Sequence, residues 1–106
     1  MIVEERMNIT VSEAPEGVTI RIAGVMKKQD GMNLSEKITQ VGKSKPKTIV
    51  LDFTNLAAVS LDSLPFLVSA VERVPVGKYK IKAIGANEIV KKSLRGAEFE
   101  RVGVIE

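Results

Sequence analysis

A short polar stretch, Ser60-Leu61-Asp62-Ser63, separates an apolar segment from a helical pattern in the middle of the chain. The first turn of a helix leaves backbone N–H groups without partners, and the helix macrodipole adds positive potential at the same end. A carboxylate there gains about 0.3–1 kcal/mol and accepts one of these N–H bonds. Asp62 or Ser63 taken singly is explained as a helix N-cap. Together the four residues form a candidate polar site at a helix N-terminus.

The chain contains no Cys and no His. Disulfides, thiolate and imidazole metal ligands, and Ser-His or Cys-His nucleophilic catalysis are therefore excluded. No Gly-rich phosphate-binding loop is present either. The sequence predicts a protein that is not an enzyme, with no catalytic residue, no metal site and no cofactor.

A second carboxylate, Asp52, lies near the end of the apolar run Thr48–Phe53. Receiver domains accept a phosphoryl group on an aspartate at the end of a buried strand, but they also need an acidic pair after an early strand to hold Mg²⁺. Here the early strand leads only into Gly24-Val25-Met26-Lys27-Lys28. We therefore interpret Asp52 as a strand-end residue that bonds the backbone of the Thr54-Asn55 turn.

The candidate site opens a helix that should begin at residues 61–63 and end before Pro75, because Pro65 is tolerated only in a first turn. A helix before it should begin at Asn33, with Glu36 completing a capping box, and stop at Gly42. A later helix should cover Asn87–Arg95. The inward stripes of the three helices are Leu34/Ile38/Val41, Leu64/Leu67/Val68/Val71 and Val90/Leu94.

Alternating apolar residues predict a hairpin of Met7–Val11 and Val18–Ile22 around the turn Pro15-Glu16-Gly17. The nearly continuous apolar run Thr48–Phe53 indicates a central strand covered on both faces, and further strands are expected at Tyr79–Ile84 and Val102–Ile105. The order β-β-α-β-α-β-α-β predicts an α/β domain over residues 1–106: a single-layer mixed sheet with helices packed against it and its later strands parallel.

The chain has 106 residues, of which 44% are hydrophobic and 27% charged, as in ordinary globular domains. Its net charge is +3, and it contains one Tyr, three Phe and no Trp for stacking on bases. Nucleic-acid binding is therefore not expected, although a basic nucleic-acid-binding module stays open as an alternative. No apolar run approaches the roughly 20 residues of a membrane span, so we expect no membrane insertion and a cytoplasmic location.

The chain resembles the STAS domain family, and in particular the bacterial anti-sigma factor antagonists. The resemblance lies in the hairpin ending in Gly24, the following amphipathic helix, the segments IVLDFTNL, AVSLDSLPFLV and YKIKAIG, and the last helix with its strand. Family members carry Asp-Ser-Ser-Gly-Leu at the start of the central helix. The second Ser is phosphorylated by a partner kinase that is itself the anti-sigma factor.

An ungapped count from Ile49 sets this motif on residues 60–64, with Asp62 at the phosphorylated position. The family Asp falls on Ser60 and the family Gly on Ser63, so four of the five positions differ. A two-residue slip would instead align Asp62-Ser63 with the Asp-Ser pair, but it would displace Leu64 and the helical periodicity behind it. Asp62 is thus a fixed carboxylate in place of a switchable phosphate. It mimics either the phosphorylated state or the unphosphorylated one.

The resemblance implies a non-enzymatic protein-interaction domain, an anti-sigma factor antagonist that binds a Ser/Thr-kinase-like anti-sigma factor in regulation of transcription by partner switching. The partner-binding residues are then Ser60, Leu61, Asp62 and Ser63, with Phe66 as either an aromatic anchor or a peripheral core residue. A STAS subunit of another assembly, such as a signalling scaffold or a lipid-transport complex, is the alternative within this fold. A receiver-like domain is the alternative outside it.

Overall fold

The computed structural model describes residues 7–74 and 80–106. Within these residues the chain forms one five-stranded sheet and three α-helices in the predicted order. The elements are β1 (Asn8–Ala14), β2 (Gly17–Met26), α1 (Lys28–Gly42), β3 (Ile49–Val59), α2 (Leu64–Arg73), β4 (Ile81–Ile84), α3 (Glu88–Gly96) and β5 (Val104–Ile105), with 3₁₀ turns at Leu61–Ser63 and Phe99–Arg101.

The sheet has the strand order β1-β2-β3-β4-β5. The hairpin pair β1 and β2 is antiparallel, as predicted, and the remaining neighbours are parallel. Parallel strands place their carboxyl ends at one edge of a sheet. Because β2, β3 and β4 lead into α1, α2 and α3, the three strand-to-helix connections meet at that edge, and the candidate site lies on the middle one.

The core is built from alternate residues of β2, β3 and β4 packed against the helices. Leu51 and Phe53 of β3 are fully buried, whereas Val50 and Asp52, which alternate with them along the strand, are only half-buried. The prediction that β3 is covered on both faces is therefore wrong, because the second face of the sheet is only partly shielded. All three predicted helix stripes face the core, with Val41 alone partly exposed.

The first helix begins five residues before the predicted start at Asn33. Its N-terminus is capped by Asp30, whose carboxylate accepts the backbone N–H of Lys27 at 2.9 Å. Asn33 lies within α1, beyond its first turn, and its side chain accepts a hydrogen bond from the Gln29 amide at 3.2 Å. The predicted capping box of Asn33 and Glu36 is therefore wrong, since an acidic cap three residues earlier starts the helix.

The third strand continues six residues beyond the predicted end at Phe53 and reaches Val59. The segment pairs with β2 through two register shifts, between Arg21 and Ala23 and between Gly24 and Val25. Sheet pairing therefore extends the strand through Thr54 and Asn55, where a turn was expected. With this irregular pairing, β3 ends at Val59, directly before the candidate site.

The C-terminal part of the fold ends on a shorter strand than predicted. Tyr79, the expected start of the fourth strand, lies outside the described residues. The last strand holds only Val104–Ile105, because a 3₁₀ turn at Phe99–Arg101 precedes it and buries Phe99 completely. No helix within the described part of the chain is long and apolar enough to cross a membrane.

Candidate functional site

The candidate site is built on the connection between β3 and α2. The Ser60 backbone N–H donates to the carbonyl of Met26 at 2.8 Å, which joins this connection to the end of the neighbouring strand β2. A 3₁₀ turn at Leu61–Ser63 follows, and α2 begins at Leu64 with Pro65 in its first turn. Helical backbone thus begins within the predicted range 61–63, as a 3₁₀ turn, and the α-helix follows one residue after it. The four polar-site residues occupy one tight turn.

Leu61 and Asp62 form the exposed part of this turn. The Leu61 side chain is 76% exposed, which is unusual for a large apolar residue next to a well-packed core. Asp62 is also exposed, in the first turn of the 3₁₀ segment. A fixed negative charge and an exposed apolar side chain therefore stand side by side at the start of the central helix.

The two serines of the turn point the other way. Ser63 is fully buried, and its hydroxyl donates to the Ser60 carbonyl at 2.6 Å. Ser60 is half-buried, and its Oγ is shielded from solvent without a hydrogen-bond partner among the described residues. Of the predicted binding set, Ser63 thus contributes no accessible surface and Ser60 contributes only part of its surface. Phe66, one turn into the helix, is half-buried.

A close contact between helices holds the turn in place. Gly31 of α1 packs directly on Ser63: a Cβ atom added at Gly31 would lie 2.7 Å from the Ser63 carbonyl oxygen and 2.8 Å from the Ser63 Cβ. Only a residue without a side chain fits this approach. The position of Asp62 relative to α1 therefore depends on a small residue on each side of the contact.

Asp52 forms a separate polar cluster on the half-buried face of the sheet. Its carboxylate accepts the Thr54 hydroxyl at 2.6 Å and the Thr54 backbone N–H at 3.0 Å, and Arg21 lies 3.7 Å away. The Thr54 hydroxyl, the Thr54 N–H and Arg21 lower the pKa of Asp52 against the opposing effect of burial. The backbone bond to Thr54 is as predicted, but Asp52 lies inside β3 and not at the strand end.

A feature that the sequence analysis missed lies beside the exposed pair. A groove of about 510 Å³ separates the start of α2 from α3. Its walls are formed by Leu61, Leu64, Pro65, Ile89, Lys92, Ser93, Gly96 and Ala97. Ile89 is 71% exposed. The signal available in the sequence was an Ile next to the inward Val90, on the polar side of the third helix.

Asn87 anchors the start of α3 to the end of β3. As the N-cap of α3 it accepts the Val90 backbone N–H at 2.8 Å. Its amide also donates to the carbonyls of Leu56 and Ala57, at 3.3 and 3.2 Å. One side chain thus caps the third helix and ties it to the end of β3, which brings Ile89 next to the candidate turn.

No protein-family model matches the sequence, and no curated protein matches it significantly. Comparison with solved structures gives clear similarities. An anti-sigma factor antagonist from Mycobacterium paratuberculosis superposes with a TM-score of 0.80 at 12% identity, covering 99% of this chain and 89% of that one. The anti-sigma factor antagonist SpoIIAA in its unphosphorylated form gives a TM-score of 0.70 at 14% identity, with coverages of 93% and 88%.

A third similar structure is an uncharacterized protein with a SpoIIAA-like fold from Shewanella loihica, with a TM-score of 0.58 at 12% identity. It covers all of this chain and 88% of its own. Identities this low establish the fold and leave the function to be argued from the site. The chain therefore has the STAS fold of the SpoIIAA-like anti-sigma factor antagonists, and the predicted fold class is confirmed.

Proposed function

We propose that this chain is a non-enzymatic interaction domain that acts as an anti-sigma factor antagonist. Its partner is a Ser/Thr-kinase-like anti-sigma factor, engaged through the turn before α2 and the first turns of that helix. The observation that carries the proposal is the fold shared with two anti-sigma factor antagonists over 93% and 99% of this chain. The exposure of Leu61 and Asp62 at the start of the central helix supports the location.

Asp62 is proposed to replace a phosphorylation switch by a fixed charge. The similar protein SpoIIAA exists in phosphorylated and unphosphorylated forms. A carboxylate carries about one negative charge, against roughly 1.5–2 for a phosphoserine, and it offers fewer acceptor oxygens. Because an aspartate forms no stable phosphate ester of the serine type, the antagonist keeps one charge state at this position whatever the kinase does.

The burial of the neighbouring serines supports Asp62 as the exposed regulatory position. The Ser63 hydroxyl lies in the interior and bonds the Ser60 carbonyl, and the Ser60 Oγ is shielded from solvent. A kinase would have to unfold the 3₁₀ turn to reach either hydroxyl. Phosphorylation of the folded chain at Ser60 or Ser63 is therefore not expected.

Binding to a purified kinase-like anti-sigma factor from the source cell, followed by calorimetry, tests the proposal. The wild-type chain should bind, and Asp62→Asn, which removes the charge and keeps the shape, should change the affinity by about fivefold or more. Glu16→Gln is the matched control, because Glu16 is exposed in the β1–β2 turn at the opposite end of β2. Absence of binding by the wild type, or equal effects of the two variants, would refute the proposal.

Phosphorylation is measured in the same system by intact mass after incubation with the kinase and ATP. The wild type should stay unmodified, while Asp62→Ser should gain one phosphate. Serine and aspartate cap helices about equally well, so the fold should tolerate the change. A phosphate on Ser60 or Ser63 of the wild type would show that the switch survives at a shifted position.

A further inference from the structure

The groove between α2 and α3 has walls made of two facing helical stripes. Ile89, Lys92, Ser93 and Gly96 recur at the i, i+3, i+4, i+7 spacing of one helix face. Leu61, Leu64 and Pro65 follow the same spacing on the opposite wall. Two facing stripes with an open groove between them can bind a third helix by ridge-into-groove packing.

Within the described part of the chain, the most exposed apolar side chains lie at this groove. Among the described residues, four large apolar side chains are exposed, and the two most exposed, Leu61 and Ile89, both line the groove. Val11 and Met32, the other two, are exposed by less than 40% and lie on β1 and α1. Exposed apolar side chains grouped at a groove, unlike singly scattered ones, are typical of an interaction surface.

The charges define which way an occupant is oriented. Lys92 is the only charged residue among the described residues that line the groove, and it belongs to the α3 wall. Asp62 is exposed directly after Leu61 but is not among the residues that line the groove. An occupant with a carboxylate facing α3 therefore meets the opposite charge of Lys92, whereas a cation facing α3 meets a like charge.

We infer that this groove is the docking site for an amphipathic helix of a protein partner, with an apolar stripe between Leu61 and Ile89 and a carboxylate facing Lys92. The inference deepens the proposed function, on which it rests for the identity of the partner as an anti-sigma factor. It adds the α3 wall to an interface that was expected on the α2 side alone, and it specifies the chemistry of the segment that binds.

The inference is tested first with a synthetic probe. A helical peptide of about 20 residues carries Leu at i, i+3, i+4 and i+7, Glu along one flank of this stripe and Lys along the other. A second peptide has the two flanks exchanged. Titration of the isotope-labelled full chain, followed by amide chemical shifts, should show the first peptide moving the signals of α3 and of the 3₁₀ turn, with several-fold weaker binding of the second.

Variants of the chain then identify the groove. Leu61→Gln and Ile89→Gln should each weaken binding of the first peptide by about fivefold or more, whereas Met32→Gln, at a less exposed apolar position outside the groove, should leave it unchanged. Lys92→Glu should weaken the first peptide by about three- to tenfold and improve the second. All four positions are exposed, so these variants should fold, and their amide spectra verify this directly.

Three results would overturn the inference: no binding at about 1 mM peptide, shifts outside the groove, or binding that ignores the exchanged flanks. Concentration-dependent dimerisation of the chain that Leu61→Gln abolishes would instead assign the groove to a second copy. The purified anti-sigma factor separates this inference from the proposed function. If it binds the wild type and all groove variants equally, the groove inference fails alone; if only the peptide binds, the proposed function fails alone.

Discussion

Replacing Gly31 by Ala tests how tightly the candidate turn is held against α1. The added Cβ would lie 2.7, 2.8 and 2.9 Å from the carbonyl oxygen, Cβ and Cα of Ser63. Two of these atoms are backbone, so the clash is relieved only by moving α1 or the turn. Overpacking of this kind costs about 1–3 kcal/mol. Alanine also recovers about 0.5–1 kcal/mol of helix propensity relative to glycine.

The central values, about 2 kcal/mol lost and about 0.75 kcal/mol regained, predict that Gly31→Ala lowers the free energy of unfolding by about 1 kcal/mol, which in a domain of this size is a Tm decrease of roughly 4–8 °C. Gly96→Ala is the matched control, because a Cβ at Gly96 meets no atom within 4 Å. It keeps the propensity gain without the clash, so it should leave stability unchanged or raise it by up to about 1 kcal/mol.

Urea denaturation, fitted with one common slope m, measures the free energy of unfolding of both variants. Ser63→Gly, which removes one of the clashing atoms, should recover part of the Gly31→Ala loss in a double-mutant cycle. The amide signals of Leu61 and Asp62 should shift in Gly31→Ala and stay in place in Gly96→Ala. Equal stabilisation by Gly31→Ala and Gly96→Ala would refute the close approach of α1 to the turn.

Two further changes test the polar cluster on the sheet and the packing of α2. Thr54→Val removes the hydroxyl that bonds Asp52 and should raise the pKa of this carboxyl, measured by carboxyl NMR titration, whereas Thr54→Ser should not. Because the pKa of Asp52 is lowered in the folded state, the hydrogen bond from Thr54 stabilises the fold above the unfolded pKa of about 3.9. The stability difference between wild type and Thr54→Val should therefore vanish as the pH falls through the folded pKa. A difference that does not depend on pH would contradict this role of the Thr54 hydroxyl. Leu67→Ala, at a position with 0% exposure, should lower the free energy of unfolding by about 2–5 kcal/mol in denaturant melts. A loss below about 1 kcal/mol would show that the Leu67 face of α2 does not pack in the core.

The sequence predicted the elements whose signals are local. The turn Pro15-Glu16-Gly17 located the hairpin, and Pro65 with the apolar stripe behind it located the start of α2. Both signals depend on backbone restriction and on helical periodicity over a few neighbouring residues. The candidate turn at residues 60–63 could therefore be placed on the chain without a structure.

Elements that depend on pairing or on competing caps were predicted less well. The third strand was ended at Phe53 because Thr54 and Asn55 break the apolar run, yet pairing with β2 continues to Val59. The first helix was predicted to begin at Asn33 on the Asn33 and Glu36 capping signal, whereas the structure uses Asp30. Pairing with another strand decided the strand boundary, and a different local cap decided the helix boundary.

The sequence by itself determined that Asp62 stands at a helix N-terminus with an apolar residue before it. Only the tertiary structure decided which side chains of that turn reach solvent, since Ser63 is buried by α1 and Leu61 is not. It also brought Ile89, 28 positions further along the chain, next to Leu61 through the contacts of Asn87. Helical spacing in the sequence indicates which residues share one face of a helix. Which neighbouring helix that face meets depends on how the helices are arranged on the sheet.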